Sequence, residues 1–257
     1  MFADVTLPIA FDSFTYLVPS ELENKVRRGS RVVVPLGKNK IYTGVVLTLH
    51  SNTPQGVELK SIIEVLDEQP AVNELQLRFW QWMASYYICP LGDVMKAALP
   101  GAMKPKDEEA LKEKNKKRRS ADTHSAEAET SPLSTLSPVQ QQAMESIEKS
   151  FSEKNVTLLH GVTSSGKTEI YIHLIHKCLQ EGKQVLYLLP EIALTTQITE
   201  RLRRVFGDKM GVYHSKFTEA QRLDIYKRQA SACPYQLILG VRSGIFLPFS
   251  NLGLIII

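Results

Sequence analysis

The segment Val156–Thr168, VTLLHGVTSSGKT, constrains this chain more than any other. A short apolar run is followed by a loop of small residues, and Lys167-Thr168 then opens a helical stretch. Gly161, Gly166, Lys167 and Thr168 satisfy G-x-x-x-x-G-K-[ST], the P-loop pattern. The chemistry behind that spacing is specific. A polyphosphate needs several backbone N–H groups converging on it, so the loop, with Val162, Thr163, Ser164 and Ser165 between the glycines, must wrap tightly with little side-chain bulk. A helix that starts at the phosphate adds its unpaired N–H groups and its dipole. Lys167 supplies a positive charge to the β/γ-phosphates, and Thr168 a hydroxyl to Mg²⁺.

The flanking pattern fits that start. Ser137-Pro138 reads as an N-cap followed by Pro at the first helical position, predicting a helix to about Phe151. Strands are expected at Val156–His160, Val185–Leu189, Met210–His214, Gln236–Gly240 and Leu252–Ile257, the last a fully apolar buried strand. Helices are expected at Thr168–Gln180, Leu194–Phe206 and Thr218–Arg228. Strands alternating with helices imply a parallel α/β sheet covered on both faces. P-loop enzymes place a metal-holding acid on a second strand. Asp208 and Asp224 lie in polar stretches, and Glu191 follows Pro190, so none of them fills that role. The expectation is a fragment of a longer protein with an incomplete nucleotide site.

The first hundred residues read differently. Phe2–Pro8, Phe14–Val18, Gly29–Val34, Ile41–Leu49 and Leu59–Leu66 are rich in Val, Ile, Thr and Tyr, with turn residues between them. They predict a small barrel or curled sheet. Ala71–Ile88 is helix-like, with Leu75, Phe79, Trp82, Met83 and Tyr86 at spacings of three to four, and Pro90 ends it. This module carries no catalytic constellation. His50, its only histidine, reads as a solvated strand-end residue. Basic residues at Lys25, Arg27, Arg28, Arg31, Lys38 and Lys40 lie near Phe11, Phe14, Tyr16 and Tyr42, a mixture suited to nucleic-acid strands or to plain surface charge.

Between the modules, Lys104–Thr135 contains KEKNKKRR and then a Ser/Thr/Glu/Ala/Pro-rich run, the composition of a solvated linker. A short helix over Asp107–Lys117 is the one element it could hold, and its basic run could contact DNA phosphates. The net charge of +4 weakly favours an anionic partner. Cys89, Cys178 and Cys233 are widely spaced and form no C-x-x-C, so neither a zinc site nor a disulfide framework is implied. The N-terminus has no secretory pattern, and no apolar run has the length of a membrane span, which makes the cytoplasm the expected compartment.

Taken together, these segments resemble the primosomal protein N′ family, bacterial replication-restart DNA helicases of superfamily 2. GVTSSGKTEIY (Gly161–Tyr171) resembles its Walker A segment. LLPEIALTTQ (Leu188–Gln197) resembles motif Ia, with Thr196 where the family usually has Pro. VYHSK (Val212–Lys216) resembles its His-Ser motif, and GVRSGIFLPFSNLGLIII (Gly240–Ile257) resembles motif Ib leading to the strand before a D-E-E-H box. LSPVQQQAM (Leu136–Met144) resembles the segment whose Gln, here Gln140, meets the adenine. In the front module LPIAFDSFTYLVP, GSRVVVPLGK, TGVVL and ELKSIIEVLD resemble the family's N-terminal domain, which holds the 3′ end of a nascent leading strand. Carried over by position, its pocket is Phe14, Thr15, Gly37 and Lys60. Thr15 stands where the family commonly has Asp; a hydroxyl can still hydrogen-bond a terminal 3′-hydroxyl.

The resemblance implies a fold, a division and an activity. The fold is an α/β P-loop (RecA-like) half-lobe with a parallel sheet, preceded by a small β-rich, barrel-like DNA-end-binding domain. The division is 1–103 for the end-binding domain, 104–135 for the linker and 136–257 for the first part of helicase lobe 1. The linker is too short for the winged-helix domain that the family carries there. The implied activity is ATP-dependent 3′→5′ unwinding at stalled forks, with ATP and Mg²⁺ as cofactors and zinc expected only in the missing downstream part. His214, Ser215, Arg242 and Ser243 would touch the DNA strand, mostly its phosphates. Implied partners are forked DNA and 3′ ends, primosome loader proteins and single-stranded-DNA-binding protein, with no membrane and a nucleoid-associated location. Two other readings remain: a non-catalytic 3′-end-binding module, and a P-loop kinase of a small metabolite, which leaves Leu188–Gln197 and the front module unexplained.

Overall fold

Alternation of apolar and polar residues in the first fifty positions puts every second side chain on one face of a sheet. The computed structural model, which describes residues 1–38, 40–52, 59–104, 131–162, 165–190 and 196–257, shows that sheet. Its strands are β1 (Phe2–Thr6), β2 (Phe14–Leu17), β3 (Arg31–Leu36), β4 (Lys40–His50) and β5 (Glu64–Val65). They lie in the order β2-β1-β4-β3-β5, each pair antiparallel. The expected curl is present. Leu17 N donates to Lys60 O and Ile62 N to Leu17 O, both at 2.9 Å, while Ile63 N donates to Val33 O at 2.8 Å. The stretch Lys60–Val65 thus bridges β2 to β3 and closes the sheet into a small barrel. Ala3, Val5, Tyr16, Val32, Val34, Val46 and Ile62 fill its interior.

Two helices follow, α1 (Glu74–Tyr87) and α2 (Leu91–Ala98). Asn73 and Gln76 form a capping box at the start of α1, and Ile88 at φ 51 ends it. Sequence periodicity missed α2 because Pro90 reads as a stop; it is also the residue from which α2 starts. Leu91, Val94, Met95 and Ala98 are its buried face, the i, i+3, i+4, i+7 pattern that could have revealed it. Gly92 admits no side chain. A Cβ there would lie 2.0 Å from Ile9 O, 2.3 Å from Leu7 O and 2.7 Å from Phe11 O.

The remaining elements are α3 (Pro138–Glu153), α4 (Lys167–Gln180), β6 (Gln184–Leu188), α5 (Thr196–Phe206), β7 (Met210–Tyr213), α6 (Glu219–Gln229), β8 (Leu237–Gly240) and β9 (Leu252–Ile256). The described residues form two compact units. The first gathers those of Met1–Thr123 with Phe217–Ala230 and Phe246–Pro248; the second holds those of His124–Lys216, Ser231–Ile245 and Phe249–Ile257. In the first unit α6 is part of the core. Tyr226, 2% exposed, donates its hydroxyl to Ala71 O at 3.0 Å, and Gln76 Nε2 donates to Tyr226 Oη at 3.2 Å and to Phe246 O at 2.8 Å. Glu219 Oε2 accepts from Gly101 N at 2.6 Å.

In the second unit the sheet is wholly parallel, in the order β7-β8-β6-β9. Ile172 and Ile175 of α4 and Leu202 and Phe206 of α5 pack on Val185, Tyr187, Leu237 and Leu239 of the strands. Ile147 of α3 packs with Ile170 and Leu174 of α4, joined by Leu159. Two expectations need correction here. Val156–His160 is not in the sheet, and Val156 and Leu158 are 82% and 87% exposed. A strand needs a hydrogen-bonded neighbour, and among the described residues this stretch has no register partner in the sheet, whose order ends at β9. Val156, Thr157, Leu174, Cys178, Leu254 and Ile255 instead line a groove of about 810 Å³. With no described strand on that side β9 is not fully buried; among Leu252–Ile256 only Ile256 is. The expected helix at Asp107–Lys117 lies outside the described residues.

Candidate nucleotide site and nucleic-acid interface

The candidate nucleotide site is built from the starts of α3 and α4. Ser137 and Gln140 form a capping box, with Gln140 Oε1 accepting from Ser137 N at 2.8 Å and Gln140 N donating to Ser137 Oγ at 3.3 Å. The other end of the same side chain reaches the loop: Gln140 Nε2 donates to Gly166 O at 3.3 Å. Gly166 sits at φ 82, the left-handed region, as the N-cap of α4. A Cβ there would lie 2.4 Å from Gln140 Nε2. The left-handed conformation therefore favours glycine, and a side chain there would also push the Gln140 amide off Gly166 O.

Lys167 folds back on the loop, donating from Nζ to Gly161 O at 2.6 Å and to Val162 O at 2.7 Å. Thr168 lies in the first turn of α4 with its N–H groups at the helix start, and Ser165 precedes Gly166. Thr163 and Ser164 lie outside the described residues. The side-chain-free glycines, a lysine amine inside the loop and a helix N-terminus fit a polyphosphate. Among the described residues no group of three or more His, Cys, Asp or Glu side chains could hold a metal ion.

The parallel sheet collects the other candidates of this unit. Tyr213 and Gly240 are register partners, as are Leu188 and Gly240, so β6, β7 and β8 end at one level. His214 and Ser215 leave β7 there, and Arg242 and Ser243 leave β8 there; Arg242 and Ser215 are exposed. The carboxyl edge of a parallel sheet is where α/β proteins hold ligands.

In the barrel, Lys60 and Gly37 are brought together, Lys60 Nζ donating to Gly37 O. Phe14 packs against the interior cluster and stacks on Phe11 with ring centroids 4.6 Å apart. Phe11 is 52% exposed, so this pair offers a stacking platform. Thr15, next along β2, faces the opposite side of the sheet and is committed there. Its hydroxyl donates to Asp4 Oδ1 at 2.7 Å, directly across on β1. Thr48 donates to Asp4 Oδ2 at 2.6 Å, and His50 Nε2 lies 3.3 Å from Asp4 Oδ1. His50 does end β4 and is partly exposed, as expected, but it has a partner in Asp4 that the sequence did not show. Arg31 and Tyr16 also leave the expected surface. Arg31 holds Asp67 at 2.6 and 2.7 Å, and Tyr16 is buried with its hydroxyl on Pro35 O, its pKa pushed up to about 12 by that burial.

Burial would raise the Asp4 carboxyl, but hydrogen bonds from Thr48, Thr15 and His50, with the charge of His50, outweigh it and hold the group below its ordinary 3.8. The sign follows: ionised Asp4 favours the folded barrel, fully above the ordinary carboxylate range, and this contribution is lost as pH falls through the depressed value. The urea midpoint followed by tryptophan fluorescence should therefore fall as pH drops below about 5. Asp4→Asn should flatten that fall.

One surface was missed by sequence reading. The buried face of α1 is Gln76, Leu77 and Trp80, whereas Trp82 and Tyr86 are 55% and 65% exposed. Phe79, Trp82 and Tyr86 stack in series with centroids 5.9 and 5.0 Å apart, and Tyr87 abuts Tyr86 edge-on.

Comparison with known proteins agrees with this geometry. Residues 4–100 match the model of a 3′DNA-binding domain (3′BD) of PriA, and residues 137–257 match that of a DEAD/DEAH box helicase. Replication restart protein PriA of Rickettsia conorii is 38% identical over 256 residues, covering 99% of this chain and 36% of that protein. The chain belongs to the PriA family. PriA of Treponema pallidum is 31% identical over 259 residues, covering 97% of this chain and 37% of its own length. PriA of Haemophilus influenzae is 32% identical over 318 residues, covering 98% and 43%, so that alignment accommodates residues this chain lacks. The chain spans little more than a third of the length of the first two relatives. The α/β half-lobe with a parallel sheet and the preceding β-barrel are the expected fold of such a chain. Among the described residues no helix is long and apolar enough to cross a membrane.

Proposed function

We propose that this chain is the fork-recognising and ATP-engaging part of a 3′→5′ DNA helicase that restarts replication. The observation that carries this reading is the succession, on one chain, of a match to a 3′DNA-binding domain and a match to a DEAD/DEAH box helicase that includes the P-loop sequence. Residues 1–103 hold the DNA end, 104–135 link, and 136–257 hold nucleotide and DNA strand.

In the nucleotide site, ATP with Mg²⁺ supplies the hydrolysable bond. Gly161, Val162, Thr163, Ser164, Ser165 and Gly166 line the phosphates. Lys167 exchanges its loop carbonyls for phosphate oxygens, Thr168 offers its hydroxyl to the metal, and Gln140 reads the adenine. His214, Ser215, Arg242 and Ser243 meet phosphates along the carboxyl edge, contacts that position a strand without reading its sequence. Phe14, Gly37 and Lys60 serve the 3′ end, and Thr15 joins them only by giving up its hydrogen bond to Asp4. Forked DNA, loader proteins and single-stranded-DNA-binding protein are the partners, in the cytoplasm with the nucleoid.

A strand with a 3′-hydroxyl should bind more tightly than the same strand ending in a 3′-phosphate, with affinity falling as salt rises. Lys60→Ala should weaken the hydroxyl-ended strand by roughly tenfold, about 1.4 kcal/mol. Fluorescence anisotropy with both ends measures this; equal affinity for the two ends overturns the end-binding assignment.

A further inference from the structure

Glu169 stands one residue after Thr168, in the first turn of α4. Both of its carboxylate oxygens are used, each by a different part of the chain. Oε1 accepts from Arg201 Nη2 on α5, and Oε2 accepts from Ser134 Oγ. Ser134 belongs to a strap, Ser131–Ser137, that precedes α3. This strap is tied down along its length. Ser131 N donates to Arg204 O of α5 at 2.7 Å, Leu133 packs against the sheet core, and Ser134 O lies 2.8 Å from His173 Nε2, one turn further along α4. It then runs into the Ser137–Gln140 capping box, and Gln140 returns to Gly166 O. The contacts form a closed ring: P-loop, first turn of α4, Glu169, strap, Gln140, P-loop.

Stability alone does not account for such a junction. The Arg201 side chain is 49% exposed, and an ion pair at that exposure contributes little net stability. Position is the more telling property. Glu169 lies in the same first helical turn as Lys167, whose amine is bound to Gly161 O and Val162 O. A nucleotide held by Lys167 would compete for those bonds at the helix start, and Glu169 contacts α5 on one side and the strap on the other.

We propose that Glu169 is a positioning residue that couples nucleotide occupancy of the P-loop to α5 and to the linker strap. The proposal rests on the nucleotide reading above. It requires two ligand-sensitive elements that a single carboxylate biases, which is a coupling claim and demands a coupling measurement.

The test is hydrogen exchange on the whole chain, with and without Mg-ADP. In the unaltered protein Mg-ADP should slow exchange at 165–170 and also, by at least about fivefold, at 131–137 and 196–206. Glu169→Gln should keep the protection at 165–170 and lose it at both distant segments. Ser134→Ala should lose it at 131–137 alone. The charge swap Glu169→Arg with Arg201→Glu should restore it at 196–206. Protection that spreads unchanged in Glu169→Gln overturns the proposal, as does failure of the swap to restore it. Protection in the unaltered chain that stops at 165–170 overturns it while leaving the nucleotide reading intact. No protection anywhere sinks the nucleotide reading and this proposal with it.

Discussion

Gly92→Ala is expected to unfold the first unit. Three backbone carbonyls, those of Leu7, Ile9 and Phe11, stand 2.0 to 2.7 Å from where the added methyl would sit. Carbonyls of a strand exit cannot rotate away as a side chain can, so the loop Pro8–Asp12 would have to leave α2. That would also break the bonds from Gly92 N to Phe11 O and from Leu91 N to Asp12 Oδ1, both 3.0 Å, which satisfy the start of that helix. Ordinary overpacking costs about 1–3 kcal/mol, and a clash with fixed backbone should exceed that range. Both tryptophans, Trp80 and Trp82, lie on α1 in this unit, so urea unfolding followed by their fluorescence reads it directly. A midpoint within error of the unaltered protein would refute the tight approach.

Lys167→Ala should remove most nucleotide affinity. The amine is the charged group inside the loop, and losing a hydrogen bond to a charged partner costs about 1.5–3 kcal/mol, roughly 10–150-fold in Kd. The folded state should barely notice, because Lys167 Nζ bonds only to two loop carbonyls that remain near solvent. Titration with a fluorescent ADP analogue in the presence of Mg²⁺ separates the two effects. Unchanged affinity would mean that the loop is a structural turn and nothing more.

These two sites were unequally legible in the sequence. The glycines of the P-loop announce themselves because left-handed backbone and a tight wrap restrict residue type at fixed spacing. The α/β alternation after Leu136 is legible for a similar reason: buried parallel strands are short apolar runs between amphipathic helices. Gly92 gives no such sign, since what forbids its side chain is a loop eighty residues earlier. The Asp4 cluster is equally hidden. Its partners lie 11, 44 and 46 positions away, and only the strand register brings them together. Val156–His160 fails in the other direction: its composition is that of a strand, but strand identity depends on a neighbour and not on composition. Periodicity in α1 identified a helix and not its buried face, because the large aromatics Trp82 and Tyr86 recur at helical spacing just as Leu77 and Trp80 do.

The place of α6 has a consequence for how the molecule assembles. Gln76 is hydrogen-bonded to residues 150 and 170 positions further along the chain. Closing loops of that length is slow, and contacts of such high sequence separation lower folding rates. During synthesis the barrel strands can pair early, since they are adjacent in the chain. The far side of α1 cannot be completed until Tyr226 and Phe246 have left the ribosome. Until then Gln76 and the carbonyl of Ala71 lack these protein partners, and the apolar surface later covered by Tyr226 stays open. The last step in building the end-binding unit is thus set by residues that sequence order assigns to the helicase lobe.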